Sequence, residues 1–488
     1  MVAGSDSGGG VVWRLRFALS AVVAVCGFAV IPAAARATTY YDGVPATFSS
    51  TGGVWDLFIT PAGVVSGNDC GASCDNAEGT LFQDGQHIYT AGAGWGCGGL
   101  ETCETQVTSV NGVGQLSGFT QPNGSNVHRA FREDSRTGAF SLLAGPSEGY
   151  FMNPEGQLLG AYWNTAGRER AFISTSGSSR TDIGTLGGTE AVAYGSAGLN
   201  QAVGCSRVAS GAWHPFLYEQ GVMTDLGLPP GATHACAVSI NQHNQILTTD
   251  GTPSAGGCHA WLRSSTGGYT AIKPPSGRTC ITGGHVDLNG RVGLSSPWTG
   301  NLHPQGYVWR AGALTRITPT NFPFDANGLE DIGPNPWVIS IDSTNLHGQL
   351  AAVVEANGSD QEIGVLLTPM KIYDETNAAL TYTGNWTRTA HAGAWGGYVK
   401  RTSAAGSKVK LTFSGRRVRI VGVTAPNLGS ANVTLDGGAT GVIDENDPFA
   451  TTTRVTVFRY TWPSSGTHTI TITANGAFAL DAITTTKR

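Results

Sequence analysis

The sequence predicts an all-β protein: a seven-bladed β-propeller followed by a β-sandwich of the jelly-roll type. Three observations predict it. Gly makes up 70 of 488 residues and charged residues only 13%, a composition of short strands and tight turns rather than helices. A two-anchor repeat occurs seven times before residue 370. Beyond it cysteine vanishes and a period-two alternation of apolar and polar residues sets in.

Residues 1–37 read as a secretory signal. Arg14 and Arg16 form a basic start, Phe17 to Ile31 an apolar run too short to span a bilayer, and Ala35-Arg36-Ala37 a small-residue cleavage site. The mature chain is therefore expected to begin near Thr38, with no membrane span, in the extracellular space. Cys26 lies in the signal. The other eight, Cys70, Cys74, Cys97, Cys103, Cys205, Cys236, Cys258 and Cys280, are an even set in an exported chain and read as disulfides, paired as sequence neighbours. Cys70 and Cys74 lack a second ligand pair at zinc spacing, so no metal site is assigned. A net charge of −5 excludes a basic nucleic-acid binder. The protein is taken as a monomer.

The propeller reading covers residues 38–370. Its first anchor is Asn-x-x-Gly-Gln followed by apolar residues and a further Gly, as in Asn153-Pro-Glu-Gly156-Gln157-Leu158-Leu159-Gly160. Its second is a short strand with Ala and an aromatic, as in Arg170-Ala171-Phe172. The Gln-equivalent positions are 64, 115, 157, 201, 245, 291 and 349, separated by 42 to 58 residues. Asn and Gly supply the positive φ of a tight reversal. Four short strands per unit, repeated seven times, is a propeller pattern. The last unit lacks a fourth strand, and Thr39-Tyr40-Tyr41 at the mature N-terminus is expected to supply it.

The Asn-x-x-Gly-Gln, His-Ala-aromatic and Thr-Asp-Leu-Gly elements, with Gly184-Thr185-Leu186-Gly187-Gly188, resemble the bacterial extracellular HAF repeat family over about residues 50–370. The resemblance implies a secreted, propeller-like protein and no known reaction.

Residues 371–488 alternate, as in Lys408-Val-Lys-Leu-Thr-Phe413 and His468-Thr-Ile-Thr-Ile-Thr473, and turn every 8–12 residues, the pattern of a sandwich. Tyr382-x-Gly384-x-Trp386, Val433-x-Leu435-Asp436-Gly437, Gly466-x-His468-x-Ile470 and Leu480-Asp481-Ala482 resemble the galactose-binding-like jelly-roll modules of secreted bacterial carbohydrate enzymes and surface proteins. That resemblance implies a fold, and sugar binding as a frequent use of it.

Candidate site residues follow from placement. Glu148, Glu190, His234, His285, Trp55 and Trp337 stand just before the innermost strands of different units and are expected around one mouth of the propeller axis. Aromatics there stack on sugars, and Glu148 with Glu190 forms the acid and base of an alternative, catalytic reading. His214 and His259 share a repeat position with Arg129, Arg170 and Tyr307, and so read as blade packing. In the sandwich, Trp395 and Tyr398 are the candidates for an exposed sugar platform. Asp444 and Asp447 lie in an acidic loop of a kind that can hold calcium. Nucleotide-binding and serine-hydrolase fingerprints are absent. The reading is a non-catalytic secreted binding protein whose propeller loops present a ligand or partner surface and whose sandwich attaches to carbohydrate or a cell surface. The alternative is a polysaccharide-active hydrolase or lyase with its site at the axial mouth.

Overall fold

A computed structural model describes residues 40–45, 54–69, 78–83, 86–91, 105–121, 127–252, 257–297, 303–318, 337–355 and 362–487. Residues 1–37, expected from sequence to be a secretory signal, and Cys70, Cys74, Cys97 and Cys103 lie outside these. Among the described residues there is no α-helix, and no helix is long and apolar enough to cross a membrane.

Six four-stranded antiparallel groups of consecutive strands form a propeller arrangement. Their innermost strands are Val54–Ile59, Thr105–Val110, Ser147–Met152, Gly187–Gly195, Cys236–Ile240 and Thr282–Val286. The first two groups touch through one parallel pair, Glu78 with Thr105. The seventh repeat departs from the expected pattern of seven like blades. Among the described residues it contributes Trp337–Thr344, Leu350–Glu355 and Glu362–Asp374. Tyr40–Pro45 pairs antiparallel with the last of these, from Tyr40 opposite Met370 to Pro45 opposite Val365. The 13-residue strand then runs on, and Met370–Asp374 pairs with Phe478–Thr486. The seventh group is therefore not a separate sheet, because one strand is long enough to serve both halves of the chain.

The first anchor of the repeat is explained by a belt of amide hydrogen bonds. Asn153 Oδ1 accepts the Gln157 N–H (2.7 Å), while Nδ2 donates to Gln157 Oε1 (3.1 Å) and to Gly198 O of the next unit (3.1 Å). Asn111 reaches Asn153 O (3.2 Å), and Asn241 reaches Asp287 O (2.7 Å). Asn345 of the last unit reaches Thr60 O of the first (3.0 Å). Unit six carries Asp287 and Arg291 in place of Asn and Gln. Arg291 pairs with Asp287 (2.7 Å) and donates onward to Leu346 O (3.1 Å), so the link survives the exchange. The motif glycine serves the same belt. Gly156 sits at φ 80°, and a Cβ there would stand 2.5 Å from Gln115 Oε1 of the preceding unit.

The second anchor fills the space between units. Ala130, Phe131, Ala171, Phe172 and Phe216 are fully buried. Leu57, Ile59 and Val65 of the first unit pack with Ile339, Val353 and Leu366 of the last. Leu57 N–H also donates to Asp342 Oδ2 across that seam (3.1 Å). His214 and His259 hold Asp225 and Asp250, at 2.9 and 2.5 Å, as Arg170 holds Asp182 at 2.9 Å. That repeat position is a clamp on the blade's own strands.

The C-terminal part is a β-sandwich-like sheet. Lys408–Thr424 and Thr452–Ala474 are long strands whose pairing breaks register at Gly415/Arg417. Strict alternation buries Val409, Leu411 and Phe413 and exposes Lys408, Lys410 and Thr412. These three pack with Ile420, Val433 and Ile472 in one core.

Candidate functional site

Every innermost strand of the seven repeats carries a β-bulge at the same level. The register shifts fall between Trp55 and Phe58, Val107 and Ser109, Gly149 and Phe151, Ala193 and Gly195, Ala237 and Ser239, Gly283 and Val286, and Ile341 and Ser343. A bulge leaves one residue unpaired and re-aims its side chain. The displaced residues are Leu57, Thr108, Tyr150, Tyr194, Val238, Gly284 with His285, and Asp342. All of them line one axial cavity of about 390 Å³. The space comes from the trailing glycine of the first anchor. A Cβ on Gly118, Gly160 or Gly204 would stand 1.8–1.9 Å from a carbonyl oxygen of the adjacent innermost strand.

The axis is plugged below this cavity. Phe58 meets His285 edge-on at 5.1 Å, His285 stacks on Phe151 at 6.1 Å, and the two Phe rings meet at 5.8 Å. All three also line a second cavity of about 600 Å³ among the Asn turns on the far side. The cavity away from the turns is thus a blind pocket.

Glu148 and Glu190 lie on innermost strands, two residues before Tyr150 and four before Tyr194, but not in the lining of that pocket, and both are occupied. Glu148 Oε1 lies 2.7 Å from His128 Nδ1, and its Oε2 accepts the Tyr150 hydroxyl at 2.5 Å. Glu190 accepts Arg207 Nε at 2.5 Å and lies 3.7 Å from Arg168. Between their fields sits Glu169, whose carboxyl is raised by burial and then by the charges of Glu190 and Glu148. The Tyr150 and Tyr194 rings are 5.4 Å apart. Burial, with Glu148 for the first and Glu169 for the second, pushes both phenols up.

His285 is part of the pocket floor. Burial lowers its pKa to about 4, so the ring is neutral at pH 7, and its buried Nδ1 has no hydrogen-bond partner. His234 is elsewhere: it is half-buried on the loop before Cys236 and meets Thr233 (3.1 Å). Trp55 pairs by backbone with Asn68, and Trp337 with Glu355; their side chains lie outside the description. Cys205 is bonded to Cys236 and Cys258 to Cys280, the neighbours paired in the sequence. The first bond packs with Trp213 against Tyr194 and Val238, so it buttresses two of the bulged residues. Arg207 lies over the same Trp213 ring at 4.7 Å.

A second concave site lies on the sandwich. Tyr382 and Trp386 meet edge-on at 5.3 Å, and Lys400 sits over Tyr382 at 4.1 Å. Arg388 pairs with the buried Glu375 (2.8 Å) and stacks on Tyr398 (3.5 Å). The rings and charged groups surround a hollow of about 490 Å³. Tyr398 thus joins only its rim. Trp395 lies on the three-residue turn Trp395–Gly397, its N–H bound to Asp481 (2.9 Å) and its ring under Arg454. Asp444 and Asp447 accept N–H groups of their own loop, from Asn446 and from Phe449 and Ala450. Among the described residues no group of three His, Cys, Asp or Glu converges as a metal would need.

Tyr150, Tyr194 and Asp342 escape sequence reasoning because alternation assigns a bulged residue to the wrong side. Gly118, Gly160 and Gly204 face the bulges of units two, three and four and signal them, while units five and seven carry Thr248 and Ala352 there.

No family model matches the chain. An A type blood N-acetyl-alpha-D-galactosamine deacetylase of Flavonifractor plautii is 29% identical over 109 residues, 22% of this chain and 14% of its own length. An A type blood alpha-D-galactosamine galactosaminidase of the same organism is 38% identical over 69 residues, 14% of this chain and 6% of its own. The chain therefore spans a small fraction of the curated relatives it matches. A family 35 carbohydrate binding module from Clostridium thermocellum is 15% identical, over 23% of this chain and 96% of that one, with a TM-score of 0.19. A family two carbohydrate esterase from Cellvibrio japonicus is 15% identical, over 25% and 34%, with a TM-score of 0.20.

Proposed function

We propose that this chain is a secreted, monomeric, non-catalytic carbohydrate-binding protein. Residues 38–370 form a propeller of HAF-type repeats, closed as seven blades by Tyr40–Pro45. Residues 371–488 form a jelly-roll module that attaches the propeller to glycan. The observation that carries the reading is the hollow of Tyr382, Trp386, Arg388, Lys400 and Glu375. Aromatic faces beside a few convergent polar groups suit a sugar ring and its hydroxyls. Two further facts support it. The short curated matches are to proteins whose names place them on galactosamine-containing substrates. Glu148 and Glu190, the one candidate acid–base pair, are each engaged with basic or hydroxyl groups of the protein itself.

The test is retention of the purified full chain on a panel of immobilised polysaccharides. At least one is expected to retain it, with Trp386→Ala and Lys400→Ala each weakening retention at least tenfold at an unchanged melting temperature. No retention on any glycan, or retention indifferent to both variants, overturns the proposal. Glycan cleavage that disappears in Glu148→Gln or Glu190→Gln would establish the enzymatic reading instead.

A further inference from the structure

We propose that the cavity at the turn end of the propeller axis binds one small uncharged apolar molecule, a hydrocarbon chain or ring whose polar end, where it has one, stays in the water at the mouth. This site is separate from the hollow on the sandwich and does not rest on the carbohydrate reading.

Shape comes first. All seven units supply the lining, in three tiers. Phe58, Phe151 and His285 close the bottom through the ring contacts already described. Ile59, Val110, Met152, Ile240 and Val286, each the last residue of its innermost strand, form the wall. The turn residues that follow are Pro61, Gly112, Pro154, Ala197, Leu288 and Leu346 in six units, and Gln242 in the other. The volume of about 600 Å³ lies in the middle of the range of ligand pockets, about 300 to 1,000 Å³. Turns stand all round the mouth, so a flat protein surface cannot fill the depth behind it, whereas a small molecule can.

The rim is the second observation. Tight turns face water and favour polar residues, Gly and Pro. Proline and glycine therefore suit their turns as they stand. Leu288 and Leu346 do not, and neither does Val113, which also lines the cavity and is 49% exposed. Apolar side chains gathered at the mouth of an apolar hole mark a binding surface.

The third observation is that the polar groups of the lining are already spent. Asn111, Asn241 and Asn345 each carry two hydrogen bonds on Oδ1 and two on Nδ2, within the belt. Asp287 is held by Arg291 (2.7 Å) and by the Thr344 hydroxyl (3.0 Å). The Ser196 hydroxyl donates to Gly198 O (2.8 Å). Burial keeps His285 neutral at pH 7. A charged or many-hydroxylated guest would leave water and find few partners here, which is costly. An apolar guest gives up nothing and covers apolar wall.

The experiment is fluorescence titration of the full chain with N-phenyl-1-naphthylamine, a neutral dye that brightens in apolar surroundings. One dye is expected to bind per chain, and 1-octanol to displace it at least tenfold more effectively than octanoate, which has the same chain length and a charge. Leu288→Asp and Leu346→Asp, at half-buried rim positions, are each expected to weaken dye binding at least tenfold at an unchanged melting temperature. Leu199→Asp, at an exposed leucine outside the lining, is expected to leave it unchanged. No brightening, equal displacement by octanol and octanoate, or binding indifferent to both rim variants overturns the proposal, as does an equal loss in Leu199→Asp. If a rim variant fails to fold, the comparison of octanol with octanoate on the native chain still decides.

Discussion

Asn345→Ala is expected to be among the most damaging single substitutions in the protein, because it opens the ring at its seam. Asn345 is 4% exposed. Its Oδ1 accepts the N–H groups of His347 and Gln349, both at 3.1 Å. Its Nδ2 donates to Gln349 Oε1 at 2.9 Å and to Thr60 O at 3.0 Å. Thr60 and Gln349 are themselves 1% and 3% exposed, so water cannot replace the lost partner. A buried group left without its hydrogen bond costs about 1–3 kcal/mol. Two such groups put the loss at about 4 kcal/mol, and at about 2–4 °C per kcal/mol the melting temperature falls by about 8–16 °C. Differential scanning calorimetry reads this directly. The ring argument adds a second requirement: Asn153→Ala, with a like set of bonds inside the array, should fall by a similar amount. A drop below about 2 °C for Asn345→Ala, beside a large one for Asn153→Ala, would refute closure through Thr60. Unit six supplies a rescue. Asp287 with Arg291 replaces Asn with Gln there, so Asn345→Asp combined with Gln349→Arg should recover part of what Asn345→Asp alone loses.

Deleting residues 38–47 uncovers the edge of Glu362–Asp374, to which Tyr40–Pro45 is paired; the melting temperature is expected to fall by several degrees, and an unchanged value would show that the strand adds nothing. Cys236→Ser opens a loop of sequence separation 31; by loop-closure entropy this costs about 3–4 kcal/mol, and because the bond packs on Tyr194, amide hydrogen exchange around Tyr194 should quicken with it. A stability loss that leaves exchange at Tyr194 unchanged would contradict the buttress. Burial raises the Glu445 carboxyl to about 9, against the opposing pull of the Ala479 N–H and Arg401. Since the unfolded value is about 4.3, the folded state holds the extra proton between those two limits, and stability declines as pH rises through that window. Glu445→Gln should therefore melt higher than the native chain at pH 8.5 and alike at pH 4; parallel curves across that range would refute the assignment.

The repeat was legible because its turn is chemically demanding. Asn accepts the N–H four residues on, Gly must adopt positive φ, and few other residues substitute. What the turn does for the neighbouring blade was not legible, since nothing in one unit's sequence shows that Gly156 lies against Gln115. The last unit reads as a blade with a missing strand, and the N-terminal segment does pair there. The merging of its sheet with the sandwich was hidden because Glu362–Asp374 alternates without a break across residue 370. In the sandwich, Trp386 sits in a fold-defining element, a place that reads as core. It does touch Phe478 of the core, yet its ring also lines the hollow. The glycines after Trp395 shape the turn Trp395–Gly397.

The two ends of the propeller axis solve different problems with one repeated sequence. At the turn end, each Asn spends its side chain on the next unit, and rigidity is shared around the array. At the other end, each innermost strand gives up a ladder position to a bulge, and the backbone there is held less by its own sheet. Such a bulge survives only where its surroundings over-determine it. The trailing glycines admit the displaced carbonyls, and Cys205–Cys236 packs behind two of the displaced side chains. The belt therefore does more than close a ring. By fixing the lower half of the innermost strand in units two, three, five, six and seven, it lets the upper half depart from regular pairing and turn side chains toward the axis. Loosening the belt should then be felt at the pocket. A turn-end substitution mild enough to leave the chain folded, such as Gln157→Ala, should quicken amide hydrogen exchange at Tyr150, which stands three residues from Asn153 on the same strand and turn. Unchanged exchange at Tyr150 would show that the two ends of the axis are independent.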